Sequence, residues 1–430
     1  MIQNIWPITI KKTNNDILIG GCSLSQLAKT YKTPLYIIDE ATIIHQCQLF
    51  TQLLTKHYPN YCVAYASKAG LNIGISNIMG AQGIGADVVS GGELYTVLNS
   101  TINADSVYFH GNNKSLEELS LAIDHNIRLV VDNEDELKNI ASIAQQKNKQ
   151  ALLMFRIKPG IEAHTHEYIK TGHFDSKFGL PLDEALPLIK QVSESNWGEF
   201  IGIHAHIGSQ IFDNAPYIDL VKILIDFVIT IQKELGISIR ELNCGGGFGV
   251  PYTKHDQASN ASNIVLTMAN EVKRLCDKHQ LKHPKLIFEP GRSLIAQSGV
   301  TLYTIGAIKP IKNHETYVFV DGGMADNPRP MMYQSNYTFD IISPKSDQLD
   351  YYTIAGKFCE SGDILARNIQ LPIMEKNQHL VVFGTGAYNY SMASNYNRFC
   401  KPAMVSVFNE QSRLLVKRET YQDIIQHDAI

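Results

Sequence analysis

Residues 239–249 read Ile-Arg-Glu-Leu-Asn-Cys-Gly-Gly-Gly-Phe-Gly. A short run suited to a strand ends in a glycine cluster, where backbone N–H groups can approach an anion closely. Taken alone, the cluster is equally well a tight turn. Residues 285–292, Lys-Leu-Ile-Phe-Glu-Pro-Gly-Arg, repeat the form: an apolar strand, then Glu289, Gly291 and Arg292. Working back towards residue 60, six more such runs precede these two: YCVAYAS, IGADVVS, SVYFHG, RLVVD, ALLMFRI and GIHAHI. Amphipathic stretches separate them. Ser115 and Glu118 have capping-box spacing. Residues 217–235 repeat apolar side chains every three or four positions before Gly236, and residues 263–279 do so before Pro284.

Eight strand–helix units are the count for a closed (β/α)8 TIM-like barrel, with an open doubly wound sheet as the competing α/β architecture. The polar residues favour the barrel. Lys68, His110, Asp132, Arg156, His206, Gly245–Gly247 and Glu289 all fall at strand C-termini, the rim where barrels place their chemistry. Beyond residue 295 the texture changes to strand-like runs with little helical period: VTLYTIGAI, ETYVFVD, DYYTIAG, HLVVFG, PAMVSVF and RLLVKR. The expected organisation is a barrel over 36–294, with a mainly-β domain formed by 295–430 and the N-terminal 1–35. Pro34–Ile38 reads as the entry into the barrel.

At 430 residues, two domains are expected. A net charge of −4 with 19% charged residues argues against nucleic acid or an anionic membrane as partner. No apolar run is long enough to span a bilayer, and the first residues resemble neither a signal nor a transit peptide. Cys22, Cys47, Cys62, Cys244, Cys276, Cys359 and Cys400 are scattered and form no C-x-x-C pair. Neither a zinc knuckle nor a disulfide scaffold is expected, and a reducing cytoplasm is the simplest home.

Loops after the seventh and eighth strands are the usual phosphate site of a barrel, and Arg292 adds a charge-assisted partner there. Lys68 ends an apolar strand, where a lysine can form a Schiff base; a solvated strand-end lysine is the bland alternative. A phosphate site, an imine lysine and an acid on one rim point to pyridoxal phosphate. His206 is placed to stack on its ring and Ser209 to bond its phosphate. His204 reads as a satisfied core residue. The H-x-H spacing of the two histidines suits a metal pair, but no carboxylate or thiolate cluster completes it, so no metal is expected. His164 and His166 read as loop residues.

The ordered set YASKAG, GADVVSGGEL, HTHEYIKTGHFDSKFG, HAHIGSQI, GGGFG, EPGRS, DGGMADNPRPMMY, CESGD and GAYNYSMASNYN resembles the diaminopimelate decarboxylase family over residues 34–405. The resemblance implies pyridoxal-phosphate-dependent decarboxylation of meso-2,6-diaminopimelate to L-lysine, the last step of that route to lysine. It also implies an alanine-racemase-like barrel in a head-to-tail homodimer with shared active sites. Lys68 is then similar to the Schiff-base lysine, His206 to the ring-stacking histidine and Glu289 to the acid on the pyridine nitrogen. Ser209, Gly247, Arg292 and Tyr388 resemble phosphate contacts, with Gly246 and Gly291 in the same loops. Cys359 resembles the proton donor, reaching in from the partner subunit. Arg329 and Tyr333 match the contacts to the distal carboxylate and Glu360 the contact to the distal ammonium, while Arg292 and Tyr388 also face substrate. The sequence departs from the pattern at Gly70, where Asn is usual, at Asn243, where Asp is frequent, and at Phe399–Pro402. A decarboxylase of another basic amino acid or polyamine precursor, a non-catalytic cofactor-binding relative and a cofactor-free barrel aldolase are the rival readings.

Overall fold

The computed structural model describes residues 5–160, 177–312 and 314–429. The chain divides into two compact units, the first of which is Gln46–Val250 with Ser259–Ser293. Its eight parallel strands, Tyr61–Ala66, Gly85–Val88, Val107–Phe109, Arg128–Val131, Ala151–Arg156, Gly198–His204, Glu241–Asn243 and Lys285–Phe288, close into a barrel. The eighth strand pairs with the first through Leu286 opposite Tyr61 and Phe288 opposite Val63. All eight are the runs read from the sequence. They read as near-continuous apolar segments because both faces are buried, one by helices and one by the barrel interior. The interior holds Cys62, Ala64, Tyr108, Val130, Met154, Ile201 and Ile287. At the N-terminal end of the strands, Arg128 Nε donates to Glu241 Oε1 at 2.9 Å and the Tyr108 hydroxyl donates to Glu241 Oε2 at 3.1 Å.

The helices begin and end where local chemistry dictates. Ser115 and Glu118 form the expected reciprocal capping box before helix Leu116–Asp124. Helix Ala215–Leu235 stops at Gly236, whose φ of 70° is the left-handed turn that glycine takes without a Cβ clash.

The second unit comprises Met1–His45, Pro251–Ala258 and Leu294–Ile430. Its main sheet has nine strands. Seven run in the order Ile364–Pro372, Leu349–Ala355, Thr316–Val320, Gly299–Pro310, Leu35–Asp39, Ala403–Phe408 and Gln411–Val416. His379–Phe383 pairs with Gly299–Pro310 and with the short strand Phe339–Ile341. A core of Ile17, Ile19, Leu24, Leu35, Ile37, Val300, Leu302, Val381, Phe383, Val405 and Val407 lies beneath it. One expectation is corrected. The barrel was expected to begin at residue 36, but Leu35–Asp39, at the expected entry, pairs antiparallel with Gly299–Leu302 and parallel with Ala403–Val407 in the second unit. A fully buried apolar strand fits either kind of sheet, so pattern alone could not place it. Ile364–Pro372 and Phe339–Ile341 were not legible as strands. The first is an edge strand with the exposed Arg367 and Asn368 at its centre, and the second is only three residues long.

Candidate active site

The barrel unit gathers its polar residues at the C-terminal rim. Lys68 lies in a single 3-10 turn, Ser67–Ala69, directly after the first strand, and is exposed. Its ammonium is near enough to bias the ionisation of Asp87, Glu93 and His206. Burial raises the Glu93 carboxyl to about 7. Arg156, at the end of the fifth strand, is buried with its guanidinium 4.4 Å from the Phe178 ring centre. Asp132, after the fourth strand, accepts from Gly179 N–H at 3.0 Å.

Glu289 is the hub of this rim. The buried carboxylate accepts from His110 Nε2 at 2.7 Å and from Asn243 Nδ2 at 2.6 Å, both at Oε1. His204 Nε2 stands 3.2 Å from Oε2, and the rings of His110 and His204 meet edge to face at 4.6 Å. Burial alone would raise the pKa of Glu289. The imidazole of His110, hydrogen-bonded to Oε1, more than reverses this and holds the acid well below its usual range. Burial drops His204 to about 3, so its imidazole is neutral near pH 7. Asp87, with Oδ1 at 3.7 Å from His110 Nε2, is pushed upward by burial.

This corrects two details of the sequence reading. His204 is buried but not satisfied: neither ring nitrogen has an aligned hydrogen bond among the described residues. A carboxylate does stand beside the H-x-H pair, because the eighth strand brings Glu289 to His204. His110, His204 and Glu289 keep their ligand atoms within 4.8 Å of one another, which spacing along the chain could not reveal. The two contacts that set Glu289's environment, His110 and Asn243, were visible only as residues ending strands. His164 and His166 lie outside the described residues.

The glycine loop has the shape an anion requires. Gly247 has a φ of 93°, and a Cβ there would stand 2.1 Å from the Gly208 carbonyl oxygen. A Cβ on Gly246 would meet the Glu289 carbonyl oxygen at 1.9 Å, so only glycine lets the loop pass this close to the eighth strand. The Gly246 N–H donates to His206 Nδ1 at 3.2 Å, which fixes the plane of that imidazole. Burial holds His206 well below its ordinary pKa, so it stays neutral. Beside the loop, the buried Arg292 donates through NH2 to Ser209 Oγ at 3.1 Å. A Cβ on Gly291 would come within 3.0 Å of Ala66 Cβ, so glycine lets the eighth loop lie against the strand that leads to Lys68. A bare backbone concavity, a hydroxyl and a guanidinium fit a phosphate monoester.

The second unit assembles the other candidates by itself. The Arg329 guanidinium lies 4.8 Å from the Tyr333 ring centre and 5.3 Å from that of Tyr388. Arg329 is buried, and its Nε has no hydrogen-bond partner among the described residues. Cys359 is exposed, its N–H donating to Asn397 Oδ1 at 2.8 Å, so it is not a small core residue. The exposed Glu360 accepts at Oε1 from Gly362 N–H at 3.2 Å. Asp363 is buried and anchors the loop by accepting from the N–H groups of Met324 and Phe358.

An acid that stays ionised, an amine at the same rim and a phosphate cradle between them define a pyridoxal-phosphate-dependent barrel enzyme. Residues 40–296 match the family model for the pyridoxal-dependent decarboxylase, pyridoxal binding domain. The chain is 42% identical over 439 residues to a diaminopimelate decarboxylase of Synechocystis sp., covering 100% of this chain and 93% of that one. With a diaminopimelate decarboxylase of Bacillus subtilis it shares 42% identity over 414 residues, covering 95% and 94%. The crystal structure of the Methanocaldococcus jannaschii diaminopimelate decarboxylase in complex with L-lysine superposes with a TM-score of 0.93 at 35% identity, covering 100% of this chain and 99% of that one. The chain belongs to the diaminopimelate decarboxylase family.

Proposed function

We propose that this protein decarboxylates meso-2,6-diaminopimelate at its D-centre to L-lysine and CO2. The observation that carries the reading is the Glu289 carboxylate, held ionised by His110 and Asn243 on the rim that bears Lys68. Pyridoxal phosphate, when bound, supplies the electron sink for the pair left behind by CO2. Lys68 would hold it through its side-chain amine. Glu289 would keep a proton on the pyridine nitrogen, and the neutral His206 would pack against the ring. Ser209, Gly246, Gly247, Gly291, Arg292 and Tyr388 hold the phosphate.

Diaminopimelate differs from lysine, ornithine and arginine by carrying both an ammonium and a carboxylate at its far end. Arg329 and Tyr333 take that carboxylate, and Glu360 takes the ammonium. Arg292 and Tyr388 also contact substrate. Cys359 donates the proton at the carbon that lost CO2. An exposed thiol suits a donor that serves the site of a second copy, so the working unit is a homodimer with shared sites. Seven free thiols support a reducing cytoplasm. Among the described residues no helix is long and apolar enough to cross a membrane.

The test is CO2 release from diaminopimelate beside lysine, ornithine and arginine. Turnover confined to diaminopimelate is expected, and an inert diaminopimelate would defeat the assignment. Borohydride should fix the cofactor's mass onto Lys68 in the unmodified chain and not in Lys68→Ala.

A further inference from the structure

Asn243 ends the seventh strand and is fully buried, with both ends of its amide committed. Oδ1 accepts from Gly245 N–H at 2.9 Å, and Nδ2 donates to Glu289 Oε1 at 2.6 Å. Oε1 also takes the His110 Nε2 proton, so the oxygen left for a pyridine N–H is Oε2, which has the neutral His204 Nε2 at 3.2 Å but no aligned hydrogen bond from it. The titratable and charged groups facing Glu289 are His110, His204, Asp87, Arg156, His206 and Cys244. Asp87 is the one other carboxylate in that set, and it meets Glu289 through His110.

We infer that Asn243 is a positioning residue that sets the charge of Glu289: a neutral donor at this place lets one carboxylate stay fully ionised and directs Oε2 towards the cofactor. The alternative side chain of the same shape shows why. An aspartate would put a second carboxylate oxygen about 2.6 Å from Oε1. Two carboxylates at that distance cannot both ionise and must share a proton. The shared proton then competes with the one on the pyridine nitrogen for the charge of Glu289. The amide also couples two parts of the site, since the residue that fixes the acid's charge anchors the first glycine of the phosphate loop.

This inference rests on the cofactor part of the proposed function and not on the substrate, so its test uses none. Asn243→Asp keeps the acceptor for Gly245 N–H and changes only the face turned to Glu289. In the reconstituted variant, the visible absorbance of the bound cofactor should show one ionisation step more than the unmodified chain between about pH 6 and 9. The dissociation constant for pyridoxal phosphate should rise by about tenfold or more. Asn243→Ala loses the anchor as well and should bind more weakly still. If Asn243 merely holds the loop, Asn243→Asp will match the unmodified protein in both readouts while Asn243→Ala fails, and the inference is overturned. A measurement on the unmodified holoprotein covers the case of a variant that does not fold. The carbon-13-labelled Glu289 carboxyl, assigned by its loss in Glu289→Gln, should keep its ionised shift across the same window. A titration there would also overturn the inference.

Discussion

His110 Nε2 lies 2.7 Å from Glu289 Oε1, and both side chains are buried. At that depth water does not screen the pair, so the acid's charge is set by its neighbours rather than by solvent. Replacing it with the isosteric amide removes the charge and leaves the shape. Glu289→Gln should therefore lower kcat by about 10²- to 10³-fold, the scale seen when one preorganised electrostatic partner is removed. Steady-state kinetics on diaminopimelate check this. A variant that lost only substrate affinity, with kcat intact, would show that Glu289 does not act on the electron sink.

The phosphate loop is constrained sterically as well. Gly247→Ala would drive a Cβ into the Gly208 carbonyl oxygen and hold a non-glycine residue at a φ of 93°. The left-handed backbone costs about 1–2 kcal/mol for a residue with a Cβ, and relieving the clash must move the loop. Cofactor affinity should drop by at least about tenfold, equivalent to about 1.4 kcal/mol. Absorbance titration of the cofactor-free protein measures it, and an unchanged dissociation constant would remove Gly247 from the cradle.

The barrel was readable from sequence because its strands are buried on both faces and most of them end in a polar rim residue. That combination carries more information than any single apolar run. The second unit was less legible. Leu35–Asp39 was placed with the barrel because full burial erases the alternation that marks a sheet's open face, whereas Ile364–Pro372 was hidden by the opposite cause, a partly exposed edge interrupted by Arg367, Asn368 and Gln370. Within the site, Lys68, Glu289 and the glycines stood out through their residue types. The hydrogen bond of Asn243 to Glu289 joins the neighbouring seventh and eighth strands, whereas that of His110 joins the third strand to the eighth and needs the barrel to close.

Arg329 gives a test of selectivity. Its guanidinium lies over the rings of Tyr333 and Tyr388, and its Nε has no hydrogen-bond partner among the described residues; the proposed function gives it the distal carboxylate. Lysine offers neither a flat face nor a fork. Arg329→Lys should raise KM for diaminopimelate by about 10- to 100-fold, a loss of about 1.4–2.8 kcal/mol. Inhibition by the product L-lysine, which lacks the distal carboxylate, should be no weaker than before. Equal losses of affinity for both would place Arg329 outside the distal contact.

Asp326 offers a test of stability in the second unit. It is buried, accepts from the Tyr303 hydroxyl at 2.7 Å and from Gly323 N–H at 2.6 Å, and is raised by burial from 3.8 to about 7. The folded state therefore holds a proton between those two values that the unfolded chain has already released. Stability falls as pH rises through that interval and levels off above about 7. A carboxamide in its place would be neutral throughout, with the amide nitrogen donating to the Tyr303 oxygen while the amide oxygen keeps the Gly323 bond. Asp326→Asn should thus differ little from the unmodified chain near pH 4 and be more stable by a few kcal/mol at pH 8, roughly 1.4 kcal/mol per unit of pKa shift. Urea midpoints at the two pH values give the comparison. A gain of the same size at both would mean that repacking, not ionisation, separates the two proteins.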